Sequence, residues 1–112
     1  MAQWFFTVPP EGAAREVALQ CIAPFREVLS DAQFKVFDTK RYLDAFEGLL
    51  KKTDDALIVD LTNQALAIQC LDFNTTYLLT TALSPVTAFT LQLLRRNRVR
   101  TIHWFYEDYR RA

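Results

Sequence analysis

The sequence predicts an α/β fold: a single domain built on an open, five-stranded parallel sheet with helices on both faces. Three observations carry this. Five short runs rich in aromatic and β-branched residues alternate with four longer stretches of helical periodicity, giving the order βαβαβαβαβ. Strands joined through helices run parallel, with right-handed crossovers. One run, Ala56-Leu57-Ile58-Val59, is continuously apolar, as a central parallel strand buried on both faces requires. The chain of 112 residues is long enough for one core and no more.

Trp4-Phe5-Phe6-Thr7-Val8 reads as the first strand, stopped by Pro9-Pro10. From Glu11 to about Ser30 the pattern is helical, with Val17, Cys21, Phe25 and Val28 near one face. Pro24 should kink or divide that helix. Phe34-Lys35-Val36-Phe37 forms a second strand ending at Asp38. Asp38 or Thr39 can cap a helix whose apolar stripe is Tyr42, Phe46, Leu49 and Leu50, with Lys51-Lys52 suiting its negative end. Ala56–Val59 is the third strand, closed by Asp60, and Thr62 or Asn63 caps the next helix, to about Phe73. That third helix is apolar nearly all round, with Asp72 its single charge, which implies burial on more than one side and suggests a partner surface. Thr76–Thr81 is the fourth strand. Ser84 then serves as N-cap, with Pro85 at the first helical position. Val86, Phe89, Leu93 and Leu94 supply the buried face, and Arg95, Arg96 and Arg98 crowd the helix end. Arg100–Tyr106 is the fifth strand, apolar on both faces, so both should be covered. The result is a three-layer Rossmann-like or flavodoxin-like domain whose strand order is 3-2-1-4-5 or 2-1-3-4-5.

Composition narrows the function classes. Thirteen basic and thirteen acidic residues balance to a net charge of zero, against the basic excess of nucleic-acid binders. Near-neutral charge also gives little protection from self-association. Cys21 and Cys70 lie in apolar periodic segments, as small buried hydrophobes of a reducing, cytoplasmic compartment do. His103 is the single histidine, so no Cys/His metal site can be assembled, and it reads as a partly buried structural residue. The first residues lack the basic and apolar regions of a signal peptide. Phe73–Leu94 is an uncharged run of 22 residues, but six threonines and Ser84-Pro85 mark it as strand, turn and helix rather than a membrane span.

Ligands of open parallel sheets bind beyond the carboxyl ends of the strands. The polar residues placed there are Thr7, Glu11, Asp38, Asp60, Asn63, Thr81, Ser84, Glu107 and Asp108. Helix caps and turns use the same residue types, so each has a structural reading beside the functional one. With two glycines, Gly12 and Gly48, neither GxGxxG nor a P-loop can be built. Asp60 at the end of strand three and Thr80 or Thr81 at the end of strand four invite comparison with a phosphoacceptor receiver domain. The acidic pair that would hold Mg²⁺ after strand one is replaced by Thr7-Val8-Pro9-Pro10, however, and the lysine at the end of strand five is absent. No catalytic constellation stands out.

The stretch LLTTALSPVTAFTLQLLRRNRVRTIHWFYEDYRR, with Ser84-Pro85, Thr101, Trp104-Phe105 and Glu107-Asp108, resembles the N-terminal half of bacterial glycosyltransferase-like proteins of the spore-maturation, CgeB-type group. The resemblance covers about residues 34–112. It implies the acceptor-side domain of a two-domain GT-B glycosyltransferase, not catalytically complete alone, with Glu107 and Asp108 at the cleft edge. It also implies an N-terminal fragment of a larger protein, with no cofactor in this domain and the nucleotide sugar held in a missing C-terminal domain. The alternative reading is a stand-alone interaction or dimerisation module, such as a degenerate receiver-like domain, whose partner is a second copy. Both readings involve neither nucleic acid nor a membrane span.

Overall fold

The computed structural model describes residues 2–50, 55–81 and 84–104. Its elements, in chain order, are β1 (Trp4–Val8), α1 (Gly12–Val28), β2 (Phe34–Asp38), α2 (Thr39–Leu50), α3 (Asp55–Asp72), β3 (Tyr77–Thr81), α4 (Ala88–Arg96) and β4 (Arg100–Trp104). The strands form one parallel sheet in the order β2-β1-β3-β4. Among the described residues the sheet therefore has four strands rather than five. Both strand orders expected from the sequence reduce to this one when their third strand is removed.

The missing strand is the apolar run 56–59, which forms the first turns of α3. The helical signal runs through Ile58, Thr62, Asn63, Leu66, Ala67 and Cys70, all buried on one stripe. Two of these six are polar, and that hid the period. Inside the helix they bond to carbonyls one turn back: Thr62 Oγ1 donates to Ile58 O at 2.9 Å, and Asn63 Nδ2 to Val59 O at 2.9 Å. Polar side chains satisfied in this way can occupy a buried helix face. They are interior residues of α3, not its caps.

Strand β1 lies at the centre, and its alternation fills both faces of the sheet. Phe5 joins Phe37, Leu66, Ala67, Cys70, Leu78, Leu94 and Val99 in one core, under α3 and α4. Tyr42 of α2 extends that core by stacking on Phe37, with ring centroids 4.2 Å apart. Phe6 and Val8 face the other way, packing with Ala18 and Ile22 of α1, Phe34 and Leu79. Helix α1 carries an exposed Pro24 and is not divided by it. On β4, Ile102 is 40% exposed, where the sequence suggested a strand covered on both faces. Phe105 and Tyr106, expected to extend this strand, lie outside the described residues.

Helix α4 begins at Ala88, later than the Ser-Pro signal implied. Thr87 is the N-cap, its hydroxyl accepting the Thr90 N–H at 3.3 Å. The Ser84-Pro85 pair precedes the helix and belongs to the connection from β3.

Candidate carboxyl-edge site

The carboxyl ends of the strands bring Thr7, Asp38, Thr81 and Ser84 to one edge of the sheet, together with the start of α1. Between β1 and β3 the chain reverses direction across the sheet, and crevices in parallel sheets form at such points. The side chains here are bound to the domain's own framework. Thr7 is fully buried and donates to Leu79 O at 3.4 Å. Thr39, also buried, donates to Val8 O and so links the ends of β1 and α2. Thr81 is buried, with its hydroxyl 3.4 Å from that of Ser84.

Asp38 makes a two-pronged pair with Arg15: Nη1 to Oδ1 at 2.7 Å and Nη2 to Oδ2 at 2.8 Å. Oδ1 also accepts the Lys40 N–H at 3.1 Å, and Arg15 reaches Pro9 O at 3.3 Å. One arginine from the first turn of α1 thus ties together the ends of β1 and β2. Its hydrogen bonds and charge hold the Asp38 carboxyl below the usual carboxylate range, and the same bonds raise the guanidinium. An ionised, doubly bonded carboxylate is a poor general acid or base. Glu11 is exposed at the N-cap of α1 and its side chain makes no capping bond. Gly12, at φ +74°, supplies the left-handed residue that turns the chain into α1.

Asp60 and Asn63 are not at a strand end. Asp60 is exposed on α3, which removes the geometric basis for the receiver comparison. Asn63 is a clamp. Its Nδ2 donates to Pro85 O at 2.8 Å while its Oδ1 accepts the Thr87 N–H at 2.9 Å. This holds the segment leading into α4 against α3, and explains why the helix starts only after Thr87. Glu107 and Asp108 lie outside the described residues. His103 is exposed on β4, not partly buried, with Nδ1 2.9 Å from Thr80 Oγ1. Among the described residues no group of three His, Cys, Asp or Glu side chains is placed to hold a metal ion. No described helix is long and apolar enough to cross a membrane.

Sequence reasoning missed a groove of about 530 Å³ between α3 and α4. Asp60, Asn63 and Thr87 are among its polar lining, and Ile68 of α3 with Phe89 and Leu93 of α4 among its apolar lining. Phe89 is 75% exposed and Ile68 61% exposed. The nearly uncharged character of the third helix is the available signal, but the sequence pattern places Phe89 on the buried face of α4. With the start of α4 shifted to Ala88, Thr90 and Leu94 take that face.

These features define an α/β domain with a parallel sheet, a self-satisfied carboxyl edge and an apolar groove on one helical layer. No family model matches the chain, and no curated protein or solved structure matches it either.

Proposed function

We propose that the chain is the acceptor-side α/β domain of a GT-B glycosyltransferase-like protein, and that it does not catalyse by itself. The observation that carries this reading is the state of the carboxyl edge. Its described polar groups serve as struts, Arg15 with Asp38 and Thr39 with Val8, and Asn63 of α3 braces the connection that leaves β3. A half-site needs such a rigid rim, on which a substrate is positioned while the second domain supplies the nucleotide sugar. The Rossmann-like arrangement of the sheet agrees with this role, as do the Ser84-Pro85 connection after β3 and Trp104 at the end of β4, both part of the CgeB-type resemblance.

The test is to express the chain alone and joined to the coding sequence that follows Ala112, then titrate both with nucleotide sugars by calorimetry and assay transfer. Donor binding and turnover are expected in the longer product alone. If that reading frame encodes no second α/β domain, or if neither form binds a sugar or nucleotide sugar, the reading fails.

A further inference from the structure

The groove between α3 and α4 is an apolar feature that the strands and the carboxyl edge leave unused. Phe89 projects from one wall and Ile68 from the other, both mostly exposed. Large side chains of this kind, close together and bordered by polar groups, mark association surfaces more often than chance exposure.

The charges on the two helices are segregated by sign. Helix α3 contains Asp55, Asp60 and Asp72 and no basic residue, whereas α4 contains Arg95 and Arg96 and no acidic one. As connections in one parallel sheet the two helices run in the same direction, and Asn63 of α3 is bonded to Thr87 at the start of α4, which sets their relative level. One turn further on, Asp72 follows Ile68 and Arg96 follows Leu93. Asp72 and Arg96 are exposed, and neither takes part in an ion pair among the described residues.

We infer that this surface pairs with a second copy of the chain, about a two-fold axis parallel to the helices, so that α3 of each copy lies on α4 of the other. This arrangement sets the acidic helix against the basic one twice over. Asp72 meets Arg96 of the other copy, Asp60 meets the positive, N-terminal end of α4, and Phe89 enters the opposing groove. An antiparallel arrangement that stacked α3 on α3 would bring Asp60 to Asp72 instead, and is disfavoured. Helix α3 is about 27 Å long at 1.5 Å per residue, which gives the pairing several turns of contact. The carboxyl edge stays open in this dimer, so the inference does not depend on the glycosyltransferase reading.

Sedimentation velocity across a concentration series tests it, with circular dichroism to confirm folding. The wild-type chain should show a concentration-dependent monomer–dimer equilibrium. Phe89→Asp, at a side chain already exposed, should weaken it at least tenfold, while Val28→Asp on α1 should leave it unchanged. Asp72→Arg and Arg96→Asp should each weaken association, and the two together should restore it. A chain that stays monomeric up to about 1 mM overturns the inference. So does a dimer indifferent to Phe89→Asp, or one weakened equally by Val28→Asp.

Discussion

Replacing Asn63 with alanine should be among the costliest polar substitutions in this domain, and its cost can be worked from the structure. The side chain is buried and makes two strong bonds to the segment before α4: to Pro85 O at 2.8 Å and from the Thr87 N–H at 2.9 Å. Its third bond, to Val59 O, matters less, because that carbonyl is within α3. A net hydrogen bond contributes about 1 kcal/mol, and leaving desolvated backbone groups without partners adds to the loss, so Asn63→Ala should cost about 2–3 kcal/mol. For a domain of this size that lowers the melting temperature by roughly 8–12 °C. Urea unfolding followed by circular dichroism measures the free energy. Hydrogen exchange should show faster opening at the start of α4, near Thr90 and Leu91, than in β1. Asn63→Asp separates geometry from charge. It keeps an acceptor for Thr87 but turns an oxygen towards Pro85 O, and burial raises the new carboxyl above its unfolded value. The variant should therefore be least stable at neutral pH and should recover towards the wild type as pH falls and the group is protonated. A loss below about 0.5 kcal/mol for Asn63→Ala, the range of an ordinary surface change, would refute the clamp.

Further outcomes follow from the same contacts. Asp38→Asn should cost about 1 kcal/mol, the small figure reflecting a partly exposed pair screened by solvent. Because the Asp38 carboxyl is held below its ordinary range, the pair's contribution is complete above the unfolded carboxyl value. It is lost as pH falls through the lowered folded one, so wild type and variant should converge in acid unfolding curves. Leu57→Lys tests the helical start of α3. Leu57 is 43% exposed, so the change should cost less than about 1 kcal/mol in a urea titration, whereas a strand buried on both faces would lose several times that. Burial pushes both thiols up, and Cys70 is fully enclosed while Cys21 is half-exposed. A thiol reagent under native conditions should therefore label Cys21 slowly and Cys70 only as the domain unfolds.

Much of the fold was legible in the sequence because the patterns involved are local. The aromatic run Trp4–Val8 stopped by two prolines, the strand ending at Asp38 and the threonine-rich strand ending at Thr81 all occur where expected. So does α2, whose first residue Thr39 is bound to Val8 O. The exceptions share a cause. Thr62 and Asn63 resembled caps, since caps and back-bonded interior residues use the same side chains, and only the position of the acceptor carbonyl distinguishes them. Ser84-Pro85 resembled a helix start until Asn63, 22 residues away from Pro85, took hold of the connection.

The sequence by itself determined the class of the fold, the parallel direction of its strands and the division of apolar residues between two layers. These follow from periodicity and from the short reach of each connection. Tertiary structure decided three matters: that 56–59 is helix, that the carboxyl-edge groups are struts, and that Phe89 and Ile68 face outward together across one groove. Each depends on a partner distant in the chain, which no local pattern encodes.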